Sequence, residues 1–568
     1  MPVFANGVQV IAPQAVAVVT EETVIGNQPA TELVVAVIAT ADGGQPQTFH
    51  KVTNYTQAAA LFRSGVLLDL LKRVYNPSGN NPGAYTVLAC RVNSGVQASA
   101  ALKDGGAANV VTLVSTDYGL HTNQIRVKCE AGSVSGYKVS VQGYAGTATI
   151  VQDNIGRSCM SVQYTGAGSA ATLTISSTQL TTSCTGAAGD NATLDFASYP
   201  TIRNLADALI GTGKYSVTVL ADAATLGATL DVQTAIDIKT SAQTLTANIQ
   251  ALVDWFNTSE PYITATRASG AAIATSSSYI PFTGGTNGSA VTSNDYQTAL
   301  TALQAFDCAI VLVGTGDATV HALADAHCAY MAQPGQNKER VAIVGGVAGE
   351  NVATVIARAK ALASYRTALA YPGLLDVDAS GNSVTLAPFY TAAAVAGLLA
   401  GSAIGQPATR KTLRCVGPAV SLTPSEIDSL LVAGVMPIAA HTTEGARVVQ
   451  SLTTYVQPQG SALNLLRREL SSRIAADWLI GQVRGRLDAQ LIGTAGGPLL
   501  RERAKSIAET TLKEAEAAGV IVGDQANPAY SQLSASISGD VITVSFRAAL
   551  ATPGNYVILN ASLGSWAG

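Results

Sequence analysis

Three glycine-rich turns and one histidine-bearing helix are where residue spacing in this 568-residue chain could support chemistry. Gly345-Gly346-Val347-Ala348-Gly349-Glu350 stands after an apolar run and before a helical one, as a dinucleotide-binding turn would. It is not G-x-G-x-x-G, and residues 366–372 (Arg-Thr-Ala-Leu-Ala-Tyr-Pro) lack the acidic partner expected further on. Val313-Gly314-Thr315-Gly316-Asp317 is a second strand-to-helix turn, with Asp317 as a helix N-cap. Thr283-Gly284-Gly285-Thr286-Asn287-Gly288 could make an anion-binding nest, but no G-K-[ST] follows it. Asp317, His321 and Asp325 share one helix face and could hold a metal with help from elsewhere. His327 is turned about 600° from His321 and points away. The plainer reading is a set of solvated helix side chains. No nucleophile elbow, H-E-x-x-H or calcium loop occurs, so neither catalysis, a cofactor nor a metal is expected.

Those turns must sit on a framework, and its elements can be placed. Strand runs at 33–39 and 85–92 flank a helical pattern at 57–74. Between 106 and 190 the chain becomes rich in Gly, Ser, Thr and Val. Short alternating runs at 110–114, 125–129, 137–141, 147–151, 160–164 and 171–175 predict a β-sandwich or barrel. Further on, helices are expected at 202–210 and 241–256, with a strand at 215–220. Strands at 309–313, 341–344 and 367–371 alternate with helices at 318–330 and 351–362, which implies βαβ units and a largely parallel sheet. The run 389–405 is broken by Thr391 and Ser402 and reads as a buried core helix; a membrane span needs about 20 strongly apolar residues. Thr423, Pro424 and Glu426 form a capping box, with Gly434 as the stop. Strands follow at 435–440 and 447–455, helices at 461–487 and 498–518, and strands at 541–546 and 556–563.

Hydrophobic residues make up 48% of the chain and charged residues 12%, about half the usual charged fraction. Either neighbours cover much of the surface, or hydroxyl groups keep a large β-rich protein dispersed. The net charge of −4 and the absence of a Lys/Arg run exclude a general nucleic-acid binder. Met-Pro-Val-Phe-Ala-Asn-Gly has no basic n-region, so no secretory signal is expected. Cys90, Cys129, Cys159, Cys184, Cys308, Cys328 and Cys415 match no zinc spacing and read as free core thiols; a Cys159–Cys184 bridge is the alternative.

The short capped helix, the Ala-Gly-Val break at 433–435 and Gly-Ala-Arg-Val-Val…Leu-Thr-Thr-Tyr at 445–455 resemble the C-terminal domain of contractile tail sheath proteins of myovirus-type bacteriophages and related injection systems. The order of the chain agrees, including Thr283–Gly288 ahead of the α/β part. The resemblance implies an α/β core with a mixed or parallel sheet, a β-rich insertion and an α+β C-terminal domain with strand arms. The boundaries expected are an arm at 1–19, a small α/β unit at 20–105, the insertion at 106–190, the core at 191–419, a tube-facing domain at 420–548 and a second arm at 549–568. It further implies a structural virion-tail protein, assembled in the host cytoplasm, that stacks as hexameric rings of itself around a tail tube and contracts. Its partners would be the tube, the baseplate and terminator or neck proteins, with no nucleic acid and no membrane insertion. Val8, Val10, Ile11, Val557, Ile558 and Leu559 would form the intersubunit arm strands. Arg467, Arg468, Arg473, Arg484 and Arg486, set against Glu469 and Asp477, would supply the tube contacts. Two other readings compete: an α/β-core enzyme or nucleotide-binding protein with a β-rich accessory domain, and a secreted β-rich adhesin or surface-layer protein.

Overall fold

The computed structural model describes residues 3–5, 8–10, 33–378, 380–441, 445–458, 461–462, 464–494 and 498–555. Chain contacts divide it into two compact units, one of residues 1–41, 46–93 and 289–568, the other of 42–45 and 94–288.

The first unit is built on a nine-stranded sheet. Its order is Thr412–Leu413, Gly445–Val448, Val435–His441, Thr367–Tyr371, Val341–Gly345, Ile310–Val313, Val35–Ala39, Val87–Arg91 and Phe49–Val52. The six strands from Val435–His441 to Val87–Arg91 run parallel. Val35–Ala39, Ile310–Val313, Val341–Gly345 and Thr367–Tyr371 are buried throughout, which is why they read as continuous apolar runs. Helices cover both faces: Val66–Tyr75 and Pro388–Ala400 pack on one core, and Ser293–Leu303, Ala318–Met331 and Val352–Leu362 on the other. Pro388–Ala400 is the expected buried helix. Among the described residues no helix is long and apolar enough to cross a membrane.

Two expected helices of this unit are each split in two. The 57–74 pattern is split into Tyr55–Phe62 and Val66–Tyr75. Gly65 has φ +103 there, and a Cβ on it would press on Thr40 and Ala41 backbone, so the chain must turn. The 461–487 helix breaks at Glu469 into Leu465–Arg468 and Leu470–Leu491.

The second unit is larger than the expected insertion and does not end at 190. It holds four small antiparallel sheets on two separate cores, one around Met160, Leu173 and Leu205, the other around Leu113, Val139 and Phe256. The helix expected at 241–256 starts later, at Asn248, because Gln243–Thr246 pairs as a strand with Ser158–Tyr164. Thr283 and Thr286 bridge back to Ser99 and Val96, so the glycine-rich 283–288 segment closes the unit where it opened. Gly288 sits at φ +82 against the Ser94 carbonyl, a spot with no room for a side chain. All seven cysteines are free, and all but Cys415 are buried.

Candidate assembly surface

The carboxyl ends of the parallel strands hold two of the three glycine turns, 314–317 and 345–350, and the protein's own side chains pack into them. A Cβ on Gly346 would collide with the Glu350 carboxylate, which occupies the concavity a phosphate would need. Glu350 pairs with Arg358, and Arg358 Nη1 donates to the Gly316 carbonyl at 2.8 Å. His321 places Nε2 2.9 Å from the Thr315 carbonyl and Nδ1 3.4 Å from Arg358 Nη1. That is a neutral imidazole donating through Nε2 and accepting through Nδ1. Burial, reinforced by Arg358, lowers its pKa to about 4. His327 is lowered to about 4 as well, by burial and then by Arg340. The expectation of solvated side chains is therefore corrected: both histidines are buried. Asp317 caps its helix and Asp325 accepts from Thr367 Oγ1 at 2.6 Å. No group of three or more potential metal ligands occurs among the described residues.

The arginine-bearing region is arranged differently. Asn464 caps the Leu465–Arg468 turn, accepting from the Arg467 amide. At Glu469 the backbone becomes extended and bridges Leu452, so the helix has to restart at Leu470. Residues 470–477 are buried on every side. Arg473 and Asp477 lie one turn apart, 2.7 Å between Nη2 and Oδ1, and Arg366 adds a fork onto the same carboxylate at 2.9 and 3.3 Å. Burial pushes Asp477 up, but the two guanidiniums outweigh it and hold its carboxyl below the usual range. The Tyr365 ring receives three guanidiniums, those of Arg366, Arg467 and Arg473, at 5.3–5.8 Å.

The five candidate arginines do not form one outward row. Arg473 is 3% exposed and belongs to the interior, which removes it as a tube contact. Arg484 is forked onto Glu339 at 2.5 and 2.6 Å and is mostly buried. Arg467 stacks on Tyr365 and Tyr455, and Arg468 donates to the Leu431 carbonyl at 3.3 Å. Arg486 pairs with Glu514 at the surface. Arg467, Arg468 and Arg486 keep partial exposure.

A hairpin completes the region. Tyr530–Ser538, not anticipated from sequence, pairs antiparallel with Val541–Ala548. Its alternation of Leu533, Ala535 and Ile537 with Ser and Gln was visible but weak. One face packs on Pro498–Ala517 through Ala535, Ile542 and Val544. The sheet has only these two strands, so both outer edges lack a strand partner among the described residues. Val8 and Val10 lie in a short strand, Val8–Val10, paired with Val3–Ala5. Ile11, Val557, Ile558 and Leu559 lie outside the described residues.

Residues 289–454, which span the strand–helix alternation and the Gly-Ala-Arg-Val-Val…Thr-Thr segment, match the model of the phage tail sheath protein central domain. The tail sheath protein of Bacillus phage SP01 is 27% identical over 98% of this chain and 95% of its own length. The chain thus resembles tail sheath proteins along nearly its whole length. The sheath protein of Staphylococcus phage Twort shares 31% identity over a shorter stretch, 29% of this chain and 27% of that protein. The fold agrees: a sheath tail protein from Listeria innocua superposes with TM-score 0.57 over 92% of this chain and 93% of its own, at 15% identity. One from Desulfitobacterium hafniense gives 0.54 over 94% and 100%, at 14% identity. The proteins it resembles are structural tail sheath proteins, and on that likeness the chain is a structural subunit rather than an enzyme. Gly314, Gly316, Gly345 and Gly346 each lie too close to other atoms of the α/β core to accept a side chain.

Proposed function

We propose that this sheath subunit stacks in six-fold rings of itself around a tail tube and contracts to drive the tube through a host envelope. Strand exchange between subunits would join the rings. The observation that carries this reading is the two-stranded hairpin with two unpartnered edges. An exposed strand edge is a template for another chain, and solitary proteins normally blunt it. Two apolar runs, around Val8–Val10 and Val557-Ile558-Leu559, are the right length and character to add one strand to each edge of a neighbour's hairpin. Arg467, Arg468 and Arg486, with Arg484 at the margin, are the cations left to meet an acidic tube surface. Baseplate and terminator proteins would hold the two ends of the stack. The finished assembly would sit in the virion tail, after assembly in the host cytoplasm.

Contraction in this scheme draws on the difference between two subunit packings, so it consumes no nucleotide. Purified intact tails, exposed to acid, urea or heat in plain buffer, should shorten and widen once and irreversibly when imaged in negative stain. A strict requirement for ATP or a divalent metal would remove this reading and restore the nucleotide-binding alternative.

A further inference from the structure

The Glu469 side chain is fully buried at the helix break, and its two oxygens are treated differently. Oε1 accepts from Gln450 Nε2 at 2.6 Å and from Asn555 Nδ2 at 2.7 Å. Oε2 is buried and has no hydrogen-bond partner among the described residues, and neither has Asn555 Oδ1. Turning the Asn555 amide over would not help, since it would set an oxygen against Oε1. The hydroxyls of Ser451, Ser471 and Ser472 are buried nearby in the chain with protons to give, yet none reaches Oε2. A carboxylate and an amide that share one N–H···O bond while each keeps an orphaned acceptor lack one thing, a proton. A proton on Oε2 would donate to Asn555 Oδ1 and close a reciprocal acid–amide pair. Without it, two buried acceptors stay unsatisfied, which disfavours the closed arrangement.

We propose that Glu469 and Asn555 form a proton-dependent latch on the root of the C-terminal segment, closed when Glu469 takes up a proton from solvent and loosened when it gives that proton back. The segment is otherwise tied by backbone bonds from Ala549 to Ala529 and from Ala551 to Val520. Asn555 is the next tie along it, so the latch sets how firmly residues 549–555 are held. The groups facing Glu469 are few. Gln450 and Asn555 are neutral, and Arg468, whose guanidinium donates to Leu431, is the charge whose field favours ionisation. Burial is the larger influence and raises the Glu469 pKa. The sign follows: a raised acid contributes its stabilisation below its unfolded pKa and loses it as pH rises through the folded value. That this segment leads into an assembly arm rests on the proposed function; the latch itself does not.

Hydrogen-exchange protection factors for residues 549–555, measured on unassembled full-length chain as pH rises from the ordinary carboxylate range to alkaline, test it. Wild type should lose about tenfold in protection, since about 1.4 kcal/mol is a factor of ten. Glu469→Gln presents an amide N–H where the acid would present O–H, so it should stay protected at every pH. Asn555→Ala should be poorly protected at every pH and, at a half-buried site, should fold. A flat wild-type profile, or a Glu469→Gln variant less protected than wild type throughout, overturns the latch. Tube formation by the same proteins is read separately. A latch that titrates while tube assembly ignores it supports the latch and removes the arm reading.

Discussion

The carboxyl edge of the parallel sheet and the C-terminal helix–hairpin region both bury charge, but they differ in the backbone edges they leave unpaired. At the sheet edge Glu350, Arg358 and His321 answer one another and the carbonyls of Thr315 and Gly316. Glycine there makes room for a side chain of the same molecule. In the C-terminal region the Arg366–Asp477–Arg473 cluster is equally internal. Each region keeps buried polar atoms without a hydrogen-bond partner among the described residues, Glu350 Oε2 and Arg358 Nε at the sheet edge and Glu469 Oε2 in the C-terminal region. Of the two, only the C-terminal region has a hairpin whose two outer edges lack a strand partner among the described residues. The turns that look like a ligand site hold the protein's own side chains, and the hairpin is where strand edges stay unpaired among the described residues.

The sharpest way to break this comparison is to remove what would fill the open edges. Deleting residues 556–568 should abolish long tubes while the subunit's thermal transition stays essentially unchanged, as read by electron microscopy and calorimetry. The cut belongs after Asn555, because Leu550 and Ala551 are part of the buried core. Normal tubes from the truncated chain would show that the hairpin edges are not the joint.

Asp477→Ala tests the closed side. It leaves Arg366 and Arg473 buried with no carboxylate, and breaking such a cluster should cost about 3–5 kcal/mol in chemical denaturation. A loss under about 1 kcal/mol would mean that solvent reaches the cluster and the region is open throughout.

The histidines extend the test to pH. Each is buried neutral with its pKa lowered to about 4. Above about 6.5 both folded and unfolded chains carry neutral imidazole, so stability should be flat on their account. Below it the unfolded chain takes up protons that the native chain refuses, so stability should fall as pH drops toward about 4. The total is about 3 kcal/mol per histidine at most. His321→Gln should flatten part of that slope in denaturation curves collected across the range. An unchanged slope would locate the acid sensitivity elsewhere.

The smallest effect is expected at Arg486. Its pair with Glu514 is half-exposed, so Arg486→Ala should change subunit stability by about 0–1 kcal/mol. Reversing Arg467, Arg468 and Arg486 together to Glu should nonetheless weaken co-assembly with tail tube in pelleting assays. Unimpaired pelleting would exclude these three as the tube-facing cations.

Much of the core was legible from sequence for a simple reason. A strand buried on both faces, such as Val341–Gly345, must be apolar at every position, and the helix between two such strands must show a 3.6-residue period. The capping box at Thr423 and Glu426 was equally readable, because its donors and acceptors lie within three residues of each other. The failure of the glycine turns to complete a nucleotide motif could also be read directly. What sequence could not supply depends on contacts between distant segments. The β-rich unit extends from 94 to 288 because Thr283 and Thr286 return to Ser99 and Val96, which no composition change at 190 could reveal. Arg473 and Arg486 look alike along the helix, but Arg473 is buried onto Asp477, a carboxylate that also takes Arg366 from more than a hundred residues earlier. Glu469 reads as one more surface charge until Leu452, Gln450 and Asn555 enclose it. Local hydrogen bonding and periodicity are written in neighbouring residues. The burial of a charge is decided by whatever the folded chain brings against it.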